Sequence, residues 1–151
     1  LNGTSNYVLS AMSEEGLSFG DALGKAQALG FAEADPSLDL SGGDAAHKLS
    51  ILASLAFGAR LRHGDTDTQG IEDISPEDIG FAERFGYRIK AIAVAKRGSQ
   101  GQLGLRTHPA LLPKEKPLAN VNGALTAVDI RSRMLGSLTS RAPEQAHCPP
   151  R

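Results

Sequence analysis

Residues 44–61 constrain this chain most. Ala45, Ala46, Leu49, Ile51, Leu52, Leu55, Ala56, Ala59 and Leu61 recur at helical spacing, yet they cover so much of the circumference that a helix built from them, opening at Asp44 and ending near Gly64, must be nearly buried. The longest apolar run, residues 49–61, is broken by Ser50, Ser54, Gly58 and Arg60 and falls short of the roughly 20 apolar residues of a membrane span. Its cover must come from the rest of the chain, and 151 residues provide for about one core. A composition of 40% hydrophobic and 22% charged residues fits such a domain and excludes collagen-like, coiled-coil or wholly disordered material.

Other elements are marked by their ends. Ser18-Phe19-Gly20-Asp21 has the form of a capping box, Phe19, Ala22, Leu23, Ala26 and Leu29 follow helical spacing, and Gly30 stands where a left-handed cap is expected. Residues 31–43 contain Asp35-Pro36 and Gly42-Gly43, which favour an irregular, carboxylate-rich loop. Residues 63–70 read as polar and exposed, and residues 70–74 as a short strand. Ser75-Pro76-Glu77-Asp78 opens a helix that Gly86 closes. Residues 87–95 and 102–108 read as partner strands joined by a turn at residues 97–101, and residues 124–130 as a further strand. The predicted class is α+β in two layers, a mixed sheet covered by helices.

Sixteen Lys plus Arg against seventeen Asp plus Glu give a net charge of -1, so no basic field exists for nucleic acid or an anionic membrane surface. Cys148 is the single cysteine; it can form no internal disulfide or multi-thiolate metal site, which points to a reducing, cytoplasmic setting. Residues 1–7 have no initiator Met, basic n-region or apolar h-region, so they are no signal peptide and the chain reads as cut at this end. There is no long internal repeat and no Gly-rich dinucleotide or phosphate-loop fingerprint.

Chemistry concentrates in Glu33, Asp35, Asp39, Asp44 and Lys48. Carboxylates on a loop that runs into a helix can face a cleft while rigid neighbours hold their backbone. Asp44 and Lys48, four apart, share a helix face, and a lysine with an ordinary pKa of about 10.4 is a proton donor at neutral pH. On spacing alone the plainer reading is the stronger: a cap, an exposed helix pair worth ~0.3 to 0.5 kcal/mol, and a solvated loop. A calcium loop is excluded, since the acids do not alternate and Ala46 replaces the closing Glu. His47 points about 100° away from Lys48 around the helix and reads as packing or surface. His63 reads as a helix C-terminal residue and His108 as structural, no histidine pair has metal-ligand spacing, and Arg88 and Lys90 read as a solvated strand face.

The segment Ala26-x-x-x-Gly30-Phe31-Ala32-Glu33-Ala34-Asp35-Pro36-x-x-Asp39-Leu40-Ser41-Gly42-Gly43-Asp44-x-x-x-Lys48 closely resembles the signature of the homoserine dehydrogenase family. The resemblance extends to Asn2-Gly3-Thr4-Ser5-Asn6-Tyr7, Gly70-Ile71, Asp78, Gly86-Tyr87-x-Ile89-Lys90, His108-Pro109 and Leu118-Ala119-x-Val121-x-Gly123, and covers residues 1–128. It implies the substrate-binding catalytic domain of an enzyme that interconverts L-aspartate 4-semialdehyde and L-homoserine with NAD or NADP, on the route to threonine, methionine and isoleucine. It further implies that Lys48 passes the proton to and from the substrate oxygen, with Asp44 beside that oxygen. Glu33 would receive the substrate amino group with Asp39 in support, Gly3 and Thr4 would lie near substrate and nicotinamide, and Gly30 near the cofactor. Phe31 stands where many relatives carry Tyr. A homodimer formed through this domain is implied too. The family's dinucleotide domain, which holds most of the cofactor and supplies a second active-site lysine, is absent from these residues, so the chain alone is expected to be catalytically silent.

Residues 129–151 diverge from the family pattern. Codons compatible with Arg141-Ala142-Pro143-Glu144-Gln145-Ala146-His147-Cys148-Pro149-Pro150-Arg151, read from the third base, can spell Gly-Pro-Gly-Ala-Gly-Ala-Leu-Pro-Thr-Ala, which matches the segment that follows in relatives. A frameshift between Val128 and Arg141 is expected, giving a tail with no reason to pack, in which His147 and Cys148 are accidents of frame. Two rival readings remain at this level: a non-catalytic remnant that keeps the fold and a dimer interface, and a different amino-acid dehydrogenase of similar build.

Overall fold

The computed structural model describes residues 1–132, 134 and 136–143. Asn2 starts the first helix, α1 (Gly3–Glu15), by accepting from the Ser5 amide, and Gly16 ends it at φ 68°. This helix has weak apolar periodicity because its buried positions include Gly3, Thr4, Ser5 and Ser10 beside Val8, Leu9, Ala11 and Met12. Sequence reasoning missed it for that reason. The second helix, α2 (Phe19–Ala28), is capped by Ser18 as predicted, and Gly30 follows it in the left-handed region at φ 75°.

The loop expected over residues 31–43 contains a single helical turn, α3 (Ser37–Leu40), after Pro36. The next helix, α4 (Gly43–Phe57), begins after Gly42 at φ 83° and ends at Gly58 at φ 64°. Asp44 therefore lies in its first turn and is not its cap, and the helix stops well before Gly64. Nor is it nearly buried. Ala46, Leu49, Ser50 and Ala53 are covered, whereas Ile51 is 63% and Leu55 79% exposed, with Leu52 between them also open. A three-stranded sheet has room to cover only one face of this helix.

A 3-10 turn, His63–Asp65, leads into β1 (Thr66–Thr68), so the strand lies in the stretch read as exposed and polar. His63 consequently sits beyond the end of α4. The expected strand at residues 70–74 is a turn whose Ile71 is buried and donates its amide to the Leu40 carbonyl at 2.9 Å. Gly70 makes that approach possible: a Cβ there would meet the Leu40 carbonyl oxygen at 2.6 Å and the Ser41 Cα at 2.9 Å. Helix α5 (Pro76–Arg84) has the full Ser75 and Asp78 capping box, and Gly86 follows at φ 80°.

Strands β2 (Tyr87–Arg97) and β3 (Leu103–Pro113) pair antiparallel with Ile92 opposite His108, and β1 pairs parallel with β3, giving the mixed order β1-β3-β2. Alternate β2 residues meet the helices: Ile89 and Ala91 pack on a core of Val8, Leu9, Met12, Ala22, Ala26 and Ile79, while Ala93 and Ala95 pack on Leu49, Ala53 and Leu105. The class is α+β, with helices over a small mixed sheet.

A 3-10 turn, Pro117–Asn120, precedes a separate hairpin of β4 (Leu125–Ser132) and β5 (Gly136–Pro143). Thus residues 136–143, within the segment read as a tail, are paired to β4, although all eight are exposed. His147 and Cys148 lie outside the described residues. No helix among the described residues is long and apolar enough to cross a membrane.

One reading of the strand cations is overturned. Lys90 is 5% exposed because α1 and the segment before β4 close over it. Its Nζ donates to Val121 O at 2.7 Å, Asn122 Oδ1 at 3.0 Å and Asn6 Oδ1 at 3.1 Å, with Ser10 Oγ at 3.4 Å. Desolvation, then the nearby Arg88 charge, pushes this ammonium down to about 8. Arg88 is itself half-buried.

Candidate active site

The start of α1 meets the start of α4 across the turn of α3. Asn2 is 7% exposed. Its Nδ2 donates to Asp39 Oδ1 at 2.6 Å and to Asp44 Oδ2 at 2.9 Å, while its Oδ1 accepts from the Ser5 amide at 2.8 Å. The Thr4 hydroxyl lies 2.6 Å from the Phe31 carbonyl and 3.0 Å from Asp39 Oδ2, so its proton serves one of them at a time. Ser5 Oγ donates to the Asp39 carbonyl at 2.8 Å. Asp39 is thereby fixed at both its backbone and its carboxylate.

On α4 the Lys48 ammonium pairs with Asp44 Oδ2 at 2.7 Å and donates to the Leu1 carbonyl at 3.3 Å. The side chains of Lys48 and Asp44 are 43% and 22% exposed, so the pair is anchored on one side and open to a ligand on the other. Two carboxylates and an ammonium held this way can receive a small polar molecule and exchange a proton with one of its oxygens.

The structure brings four predicted residues, Thr4, Asp39, Asp44 and Lys48, into one hydrogen-bonded group. Gly3 is the buried first residue of α1, and Gly30 lies in the turn between α2 and Phe31. Glu33 is exposed on that same connection, with its backbone carbonyl accepting from Gln27 Nε2 at 3.0 Å. Phe31 stacks against Tyr7 at 5.2 Å between ring centroids. Asp35 is committed elsewhere: it accepts from the Ser37 amide at 3.1 Å, and its bonds to Ser37 hold it below the usual carboxylate range. His47 is exposed on α4.

Two residues were missed as members of this region. Asn2 carried a signal, an N-cap residue three positions ahead of Ser5, hidden because the helix itself was not recognised. His108, read as structural, shares with Asn2, Asp39 and Thr107 the wall of a small hollow beneath the group. Its Nδ1 is buried without a partner, and burial, then Arg106, lowers its pKa, so it stands neutral at pH 7.

The homoserine dehydrogenase family model matches residues 1–147. The chain belongs to the homoserine dehydrogenase family. It is 49% identical over 137 residues to the homoserine dehydrogenase of Pseudomonas aeruginosa, covering 91% of this chain and 31% of that protein. For the Synechocystis homoserine dehydrogenase the identity is 48% over 142 residues, covering 91% and 33%. The chain thus spans about a third of the length of these relatives. Among solved structures, the homoserine dehydrogenase of Thiobacillus denitrificans superposes with a TM-score of 0.92 at 43% identity, over 96% of this chain and 33% of that one. A hyperthermophilic archaeal homoserine dehydrogenase solved in complex with NADPH gives 0.73 at 29% identity, over 97% and 40%.

Proposed function

We propose that this chain is the substrate-binding catalytic portion of a homoserine dehydrogenase, interconverting L-aspartate 4-semialdehyde and L-homoserine with NAD(P) in the pathway to threonine, methionine and isoleucine. One observation carries the reading: a chain of bonds joins Asp39, Asp44 and Lys48, all in the segment that resembles the family signature, through Asn2 of the stretch to which that resemblance extends. The substrate ammonium goes to Glu33 at the exposed rim, with Asp39 behind it. The reacting oxygen goes to the open side of Lys48 and Asp44.

The dinucleotide, when bound, supplies or accepts the hydride at the substrate carbon. In reduction, Lys48 gives a proton from Nζ to the carbonyl oxygen as negative charge develops there, and in oxidation it takes the hydroxyl proton back. Asp44 holds the Lys48 ammonium in place beside that oxygen. For the cofactor itself these residues fit an edge contact only. Gly30 offers bare backbone in a left-handed turn, and the Gly-rich phosphate cradle is not among them, in keeping with a cofactor held mainly by a dinucleotide domain.

The reading includes dimerisation through this domain, supported by the open apolar row Ile51, Leu52 and Leu55 on α4. The test is a graft in which residues 1–143 replace the matching segment of the Pseudomonas aeruginosa enzyme. L-homoserine-dependent reduction of NADP or NAD is expected, with Lys48→Ala lowering kcat by roughly 10²- to 10⁴-fold, the range for loss of a proton-transfer group. A Lys48→Ala graft that turns over at the unsubstituted rate overturns the assignment. The 151-residue chain assayed alone is expected to show no turnover.

A further inference from the structure

We propose that Asn2 is a positioning residue for the reaction, setting the spacing of the two acids and, through Asp44, of Lys48. The inference rests on the function proposed above and adds a residue to its machinery. Asn2 is buried, and its amide is fully used. The side-chain oxygen caps α1 through the Ser5 amide, which leaves the two Nδ2 protons for Asp39 and Asp44, one each.

That division fixes the amide orientation. A flipped amide would face two carboxylate oxygens with its own oxygen and the Ser5 N–H with its donors, so the cap and the clamp enforce each other. Asp39 sits on a one-turn helix and Asp44 in the first turn of α4, so without a bridge their separation would follow any movement of α3 against α4. Thr4 and Ser5 tie only Asp39 to α1. The Asn2 amide reaches both acids, and hydrogen bonds to charged groups are the stronger kind. Asp44 in turn holds the Lys48 ammonium through the same oxygen, Oδ2, that accepts from Asn2.

The two duties of Asn2 can be separated by substitution. Asn2→Ser keeps an N-cap acceptor but cannot reach the acids, and Asn2→Asp keeps the cap while placing a third carboxylate against the other two. In the graft, Asn2→Ser is expected to stay folded because the cap persists, whereas Asn2→Asp is expected to melt lower because it sets a carboxylate beside two others. Asn2→Ser should lose about 10- to 100-fold in kcat/KM for L-homoserine, as expected for loss of the one bond to a charged acceptor that places Asp44 and through it Lys48, and Asn2→Asp more. KM for the dinucleotide should hold steady, which a general loosening of the fold would not produce. A kcat/KM for L-homoserine within about twofold of unsubstituted, while Lys48→Ala has collapsed, overturns the inference and leaves the proposed function standing. A loss in Asn2→Ser that vanishes when the assay runs well below its melting temperature overturns it as well.

Hydrogen exchange in the 151-residue chain gives a readout independent of activity. The Asn2 Nδ2 protons should exchange slowly, and one of them should become fast in Asp44→Ala. Fast exchange of both in the unsubstituted chain would contradict the clamp. If the unsubstituted graft fails to oxidise L-homoserine, the proposed function fails, and the exchange result still decides whether Asn2 holds both acids.

Discussion

Lys90 shows what a single residue can contribute against its own solvation. Its ammonium is surrounded by neutral oxygens from α1 and the segment before β4, and burial lowers its pKa from 10.5 to about 8. Below about pH 8 both folded and unfolded chains carry this proton. Between about 8 and 10.5 the unfolded chain keeps it while the folded chain has shed it, so stability rises with pH through that window. The gain approaches about 3 kcal/mol at its upper end, because each tenfold loss of proton affinity on folding is worth about 1.4 kcal/mol. Urea unfolding of the chain across this range should show the rise, and Lys90→Met should flatten it relative to the unsubstituted protein. Parallel curves for the two proteins would show that Lys90 is not buried in this way. Asp44 and Lys48 lie at the opposite limit, partly open and paired, as a site that must admit substrate requires.

At the scale of elements, α4 joins the candidate site to the surface. Its first two turns carry Asp44 and Lys48, its buried face packs on the sheet, and Ile51 and Leu55 point outward. If this row is the dimer surface, Leu55→Glu with Ile51→Glu should shift the chain from dimer to monomer in light scattering without lowering its helix content. A chain already monomeric at high concentration would remove α4 from that role. Much of this level was legible in the sequence where local chemistry sets the boundary. Ser18, Ser75 with Pro76, and Gly86 marked their helix ends, and the alternation at Ile89 and Ala91 marked β2. What local pattern did not show was tertiary. Helix α1 buries Thr4, Ser5 and Ser10, which carry no apolar signal, and their partners come from distant segments: Asp39 for Thr4 and Ser5, Lys90 and the Gly123 amide for Ser10. The apolar surplus of α4 was plain in sequence, but the inference that the same chain covers it failed, because the sheet reaches only one side. Lys90 looked solvated because alternation places it opposite Ile89 and Ala91, and only the packing of α1 and Val121 revealed its burial. At the site, the spacing of Asp44 and Lys48 was legible, and its bridge through Asn2 was not.

Across the whole molecule, the β4 and β5 hairpin stands apart from the three-stranded sheet. Strand β5 is exposed along its length, and among the described residues its bond outside the hairpin runs from Arg141 to the Pro117 carbonyl at 3.2 Å. Ending the chain after Ser132 should therefore change its melting temperature by no more than about 2 °C, because exposed residues away from caps and cores contribute little. A much larger drop would mean that the hairpin supports the core. The core and the candidate site both lie within residues 1–132, where α1, α3 and α4 converge, and the proposed function requires that this convergence form a site for an amino acid bearing a reducible or oxidisable oxygen. A crystal structure of the graft with L-homoserine tests that requirement. The substrate ammonium should lie on Glu33 and its hydroxyl within about 2.6 to 3.2 Å of Lys48 or Asp44, the reach proton transfer needs. L-homoserine bound away from Lys48, or turned so that its hydroxyl faces neither residue, would contradict it.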